Sequence, residues 1–98
     1  MSPSGPEIYS LQRVEQPPNL DEVLLQFNRL MRELLRGKIN RNTFQPWEVE
    51  ILLDIENCRI RESARENVLR RYQRAVQRQM EKRGVMPMKL SEFLRKKL

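Results

Sequence analysis

The chain has 98 residues, 39% of them hydrophobic and 33% charged, which is enough apolar surface for one small core and too little for two. Histidine is absent and Cys58 is the only cysteine, so intrachain disulfides, the common zinc sets and histidine-based triads or general bases are excluded. A net charge of +6 and a pI of about 10.1 point to a polyanion as partner, whether nucleic acid, an anionic membrane or an acidic protein.

The charge is unevenly distributed. Residues 61–98 carry 12 basic and 4 acidic side chains, a net +8, whereas residues 46–60 carry 1 basic and 4 acidic. β-branched residues are scarce, and Leu, Arg, Glu and Gln, which lose little rotamer freedom in a helix, are plentiful. The expected class is all-α: a small three-helix bundle with a short C-terminal fourth helix and an extended N-terminal tail.

Residues 1–18 hold four of the six prolines and end in Pro17-Pro18, a composition that favours extended or mobile chain. Residues 19–98 are read as a single helical domain. The opening MSPSGPEIYS has no apolar run of the kind a secretory signal needs, and nowhere do 18 apolar residues follow one another. Neither export nor membrane spanning is expected, and a cytoplasmic location is.

The first helix is read from "NLDEVLLQFNRLMRELLRG". Asn19 is its expected N-cap, with Glu22 completing a capping box, and Gly37 its left-handed stop. Leu20, Val23, Leu24, Phe27, Leu30, Met31 and Leu34 recur at steps of three and four, one stripe at about 100° per residue. The second helix, "PWEVEILLDIENC", starts at Pro46 with Thr43 or Gln45 as its cap. Val49, Ile51, Leu52, Leu53 and Ile55 cover more than half its circumference, so it is expected at the centre of the domain, with Ile55 between both neighbours, Cys58 a buried inert thiol and Trp47 at its upper end.

The third helix, residues 63–83, is expected to open on a Ser63/Glu66 capping box and to stop at Gly84. Val68, Leu69, Tyr72, Ala75, Val76 and Met80 form an apolar arc, and Arg70, Arg71, Arg74, Arg78 and Lys82 fill the arc opposite. Beyond it, Leu90, Phe93, Leu94 and Leu98, with Ser91 as cap, describe a short fourth helix that closes the core.

The cationic arc carries the functional expectation. An ordinary solvated helix intersperses Glu with Arg to gain i,i+4 pairs, and here only Glu81 lies within the ridge. Arginine presents a planar fork to phosphate, and Gln73, Gln77 and Gln79 are positioned to donate to bases or sugars. The expected site is therefore Arg70, Arg71, Arg74, Arg78, Lys82 and Gln77, binding nucleic acid as a small, regulatory, nucleic-acid-associated protein, with Lys96 and Lys97 extending its field. Two other outcomes follow from the same residues: Glu50 and Asp54 of the second helix neutralise the ridge within the fold, or the ridge meets an acidic protein. In the rival reading the chain is a protein-interaction or assembly module, for instance a homodimer, burying Leu24, Leu34, Leu35, Met86 and Met88 against a second chain.

Helices 46–58 and 63–83 resemble a helix-turn-helix, which implies a later helix that reads bases in the major groove. The connection CRIRES lacks a glycine and the later helix opens with an acidic residue, Glu66, so RNA, or DNA held without base reading, suits the unbroken cationic face better. Glu48, Glu50, Asp54 and Glu56 form no catalytic constellation without a histidine or a glycine-rich loop beside them. The expectation is a binding protein and not an enzyme, with no catalytic residue, metal, cofactor or small-molecule substrate.

Overall fold

A computed structural model describes residues 19–97, and the expected tail, residues 1–18, and Leu98 of the expected fourth helix lie outside them. The described residues are mostly helical and contain no strand. Four helices follow in order: α1 (Leu20–Arg36), α2 (Pro46–Asn57), α3 (Glu62–Arg83) and α4 (Leu90–Lys97), with a single 3-10 turn at Arg41–Thr43 between the first two.

α1 forms where its apolar stripe, Asn19 and Gly37 predict, but the expected capping-box contact of the Glu22 carboxylate is absent among the described residues. The Asn19 side-chain oxygen accepts from the backbone N–H groups of Asp21 and Glu22 at 3.1 and 3.4 Å, supplying partners to two donors that a helix start leaves open. Gly37, at φ +79°, ends the helix in the left-handed region, its N–H bonded to the carbonyls of Glu33 and Leu34. The Arg65 guanidinium of α3 donates to the carbonyl of Leu34 at 3.4 Å, so the carbonyl end of α1 also gains a cation.

α2 starts at Pro46 with Gln45 as its N-cap residue, and the Glu48 carboxylate accepts from the Gln45 N–H at 2.8 Å. Glu48 is fully buried, and its Oε2 has no hydrogen-bond partner among the described residues. α3 begins at Glu62 with Arg61 as its N-cap residue, two residues before the Ser63 cap expected from the capping-box reading. Ser63 is thereby inside the first turn instead of before it, and Glu66 turns outward to pair with Arg70.

One core joins all four helices. Val23, Phe27, Leu30, Met31 and Leu34 of α1 meet Leu69, Tyr72, Val76 and Met80 of α3, with Ile51, Leu52 and Ile55 of α2 and Leu90 and Phe93 of α4 in the same cluster. At about 1.5 to 3 kcal/mol for each large apolar side chain taken out of water, these contacts are the main driving term. The closest helix pairings are α1 with α3, α2 with α4, and α3 with α4.

That arrangement corrects the expectation that α2 is the central element. Leu53 is 45% exposed, so the apolar arc of α2 is narrower than the residue types suggest, and its principal neighbour is α4. A helix-turn-helix, whose two helices brace each other, is not the packing of α2 and α3. Cys58 is half-buried at the end of α2, with its thiol pKa pushed up by burial and then by the charge of Asp54, which keeps it protonated and weakly nucleophilic.

Ile55 is 5% exposed within the shared core. Ile55→Ala should cost about 2 to 5 kcal/mol, because surrounding helices only partly close such a cavity. Urea denaturation of the variant measures it, and an unchanged midpoint would remove Ile55 from the core.

Candidate functional site

The long helix α3 has two faces because of where its side chains fall in a 3.6-residue turn. Leu69, Tyr72, Val76 and Met80 are buried, and Arg70, Arg71, Arg74, Arg78 and Lys82 are exposed on the opposite side. Between these faces, on the flank toward α4, stands the small residue Ala75. It leaves a dip in the helix surface, and the dip opens into a cleft of about 330 Å³ lined by Arg71, Arg74, Ala75 and Arg78 of α3 and Phe93 of α4. A second cleft of about 180 Å³ shares Ala75 and Arg78 and continues toward the end of α3, past Gln79, Lys82 and Arg83, with Met88 and Lys96 opposite. Together they form one groove with cations along the α3 rim and Lys96 on the α4 rim.

α4 is held in place as the second wall by polar contacts as well as by Leu90 and Phe93. The Asp54 carboxylate of α2 accepts from the Ser91 backbone N–H at 2.9 Å and from its hydroxyl at 2.7 Å. Ser91 is thus inside the first turn of α4, not the cap outside it, and Asp54 supplies the negative group that a helix start favours. The connection before α4 is tied to α3 twice. Tyr72 donates its hydroxyl to the Met88 carbonyl at 2.6 Å, and the Gln79 amide both donates to the Met86 carbonyl at 2.9 Å and accepts from the Met88 N–H at 3.0 Å. Burial and nearby negative groups push the Tyr72 pKa well above its ordinary value, so the hydroxyl remains a donor at all physiological pH.

The expected site residues separate into three groups. Arg71, Arg74, Arg78 and Lys82 line the groove. Arg70 is on its outer side and pairs with Glu66 at 3.0 Å, an exposed i,i+4 contact of the kind worth a few tenths of a kcal/mol. Gln77 does not belong to the cationic face: its amide and that of Gln73 donate to Asn28 of α1, at 3.4 and 2.9 Å. It occupies the α1 flank of α3, opposite to α4, and stitches the two long helices together.

Neutralisation of the ridge by α2 is not the arrangement found. Asp54 is committed to Ser91, Glu50 forms no ion pair among the described residues, and Glu56 pairs with Arg41. Among the described residues, Arg71, Arg74, Arg78, Lys82 and Arg83 form no ion pair or side-chain hydrogen bond, while Lys96 pairs with Glu92 at 3.4 Å. The reading from sequence missed Arg83 and the concave shape. A small residue, Ala75, flanked at three- and four-residue steps by Arg71 and Arg78 was the available signal for the latter.

Among the described residues there is no group of three or more side chains suited to a metal ion and no helix long and apolar enough to cross a membrane. No family model, curated protein or solved structure matches this chain.

Asp54→Ala removes the acceptor of two donors at the start of α4. A loss of about 1 to 3 kcal/mol is expected, together with faster amide exchange across Leu90–Lys97 than across α1. Unchanged exchange in α4 would show that apolar contacts alone hold that wall.

Proposed function

We propose that this chain is a small nucleic-acid-associated protein whose groove between α3 and α4 takes up phosphate groups. The observation that carries the proposal is the row of Arg71, Arg74, Arg78, Lys82 and Arg83, five exposed cations without an anionic partner among the described residues. Like charges at neighbouring helical positions repel, and an external polyanion relieves that repulsion while releasing its own condensed counterions. Arginine predominates in the row, and its fork matches phosphate oxygens in a way a lysine ammonium does not. The chemistry is binding, with no catalytic step, and a reducing cytosolic setting suits the lone thiol.

The rival reading, a self-assembling or adaptor module, rested on surplus apolar surface. Leu34 is fully inside, and Leu24, Leu35 and Met88 pack against the core, leaving Met86 as the exposed member of that set. Of that set Met86 alone remains to drive a homodimer, while Leu25, Leu53 and Val85 are exposed elsewhere among the described residues. An acidic protein would answer the same charge, but a groove lined by Arg71, Arg74 and Arg78 favours the closely spaced anions of a phosphodiester chain.

The test is Arg71→Gln, Arg74→Gln and Arg78→Gln together. Glutamine propagates a helix about as well as arginine, so helicity should be retained. Affinity for nucleic acid should fall, and the slope of log affinity against log salt should shrink by about one unit per arginine removed. Arg70→Gln, outside the groove and already paired, should change the slope by much less. An unchanged slope in the folded triple variant would refute the proposal, and displacement of nucleic acid by polyglutamate at equal charge concentration would favour an acidic protein partner instead.

A further inference from the structure

Resting on the reading of the groove as a phosphate site, we infer that its ligand is the backbone of a duplex nucleic acid, held without regard to base sequence. Three observations converge on this.

First, the polar side chains beside the arginines are occupied within the fold. Gln73 and Gln77 donate to Asn28, and Gln79 is bound through both ends of its amide to Met86 and Met88. Base edges are read by amide and guanidinium groups that reach into a groove of the nucleic acid. Here the amides are turned away or used, leaving the guanidinium and ammonium groups along the α3 rim, whose fork and charge match phosphate oxygens.

Second, among the described residues the site has no stacking platform. Proteins that hold single strands place aromatic rings on which successive bases stack, at about 1 to 3 kcal/mol per base. The rings of the described residues near this groove are Tyr72, fully buried, and Phe93, 6% exposed. Tyr72 is packed edge-on against Phe27 at 5.5 Å and tilted against Phe93 at 5.9 Å, so both rings serve the core. A single strand seated here would leave its bases without partners, whereas a duplex arrives with its bases already stacked and paired.

Third, the cations stand on one uninterrupted helix. From Arg71 to Arg83 the axial distance is about 18 Å at 1.5 Å per residue. A duplex offers one charge per about 1.7 Å of axis, twice the linear density of one of its strands, and neutralising it releases more counterion per contact, about 0.9 against about 0.7 for a single strand. Five cations without a partner among the described residues then correspond to a salt slope of about −4.5 on a duplex and about −3.5 on a single strand.

The experiment is fluorescence anisotropy with the full chain and labelled oligonucleotides of about 20 nucleotides or base pairs, long enough to exceed the row several-fold. The arms are duplex DNA of several unrelated sequences, one duplex RNA, and the corresponding single strands of mixed composition. Duplexes should bind at least about threefold more tightly than single strands, differ among DNA sequences by less than about threefold, and show the steeper salt slope. Single strands bound as tightly as duplexes, or a DNA sequence preferred by more than that margin, would overturn the inference while leaving a phosphate groove in place. Absence of binding in every arm would overturn the groove's proposed function itself, and the inference with it.

Discussion

The layout of the cationic face depends on the burial of one side chain, Tyr72. It lies midway along α3 with no exposed surface, touches Phe27 of α1 and Phe93 of α4 through its ring, and binds the chain leading into α4 through its hydroxyl. A tyrosine at this place does what a phenylalanine cannot, because its polar tip meets the one carbonyl it can reach and so escapes the penalty of a buried unsatisfied group. With Tyr72 turned inward, the helix repeat forces Arg71, Arg74 and Arg78 outward. With its hydroxyl fixed to Met88, the following helix is delivered to the flank where those arginines stand. Core and groove are two consequences of a single contact.

The second determinant is where the acidic side chains are spent. Glu48 is buried against the start of α2, Asp54 receives the start of α4, and Glu56 meets Arg41 on another side of the molecule. Each has a structural task away from the α3 rim of the groove. The positive field along that rim is therefore a property of the folded arrangement and not merely of composition, since the same acids closer to the arginines would cancel it. Glu66 and Glu92 do approach the cationic helices, and each pairs at an exposed i,i+4 position, where the energy is small and salt-sensitive.

The helices were legible in the sequence because their signals are local. Asn19, Gly37, Pro46 and Gly84 punctuate them, and the three- and four-residue spacing of Phe27, Leu30, Met31 and Leu34 fixes the buried face of α1. Gly84 has a second role that no local signal gives: at φ +62° it lies where an added Cβ would come within 3.2 Å of Leu20 Cδ1, so the end of α3 also sets the approach of α1. The site was half legible. That Arg71, Arg74, Arg78 and Lys82 share a face follows from helical geometry, but that Gln77 leaves that face for Asn28, and that Asp54 goes to Ser91, depends on which helices become neighbours. Those are contacts across 49 and 37 residues of sequence, and periodicity within one helix carries no information about them. The misplaced centrality of α2 has the same origin, since Leu53 counts as apolar on a wheel whether or not another helix covers it.

The most direct test of the central claim, that the groove between α3 and α4 is where a polyanion binds, is the mapping of amide chemical shifts while the labelled protein is titrated with a generic DNA duplex. Perturbations are expected to concentrate at Arg71, Arg74, Ala75, Arg78, Lys82 and Lys96, leaving Leu25 on α1 and Leu53 on α2 unmoved. Shifts centred instead on α1 or on Trp47 and Leu53 of α2, or no shifts at duplex concentrations that saturate generic basic proteins, would contradict it.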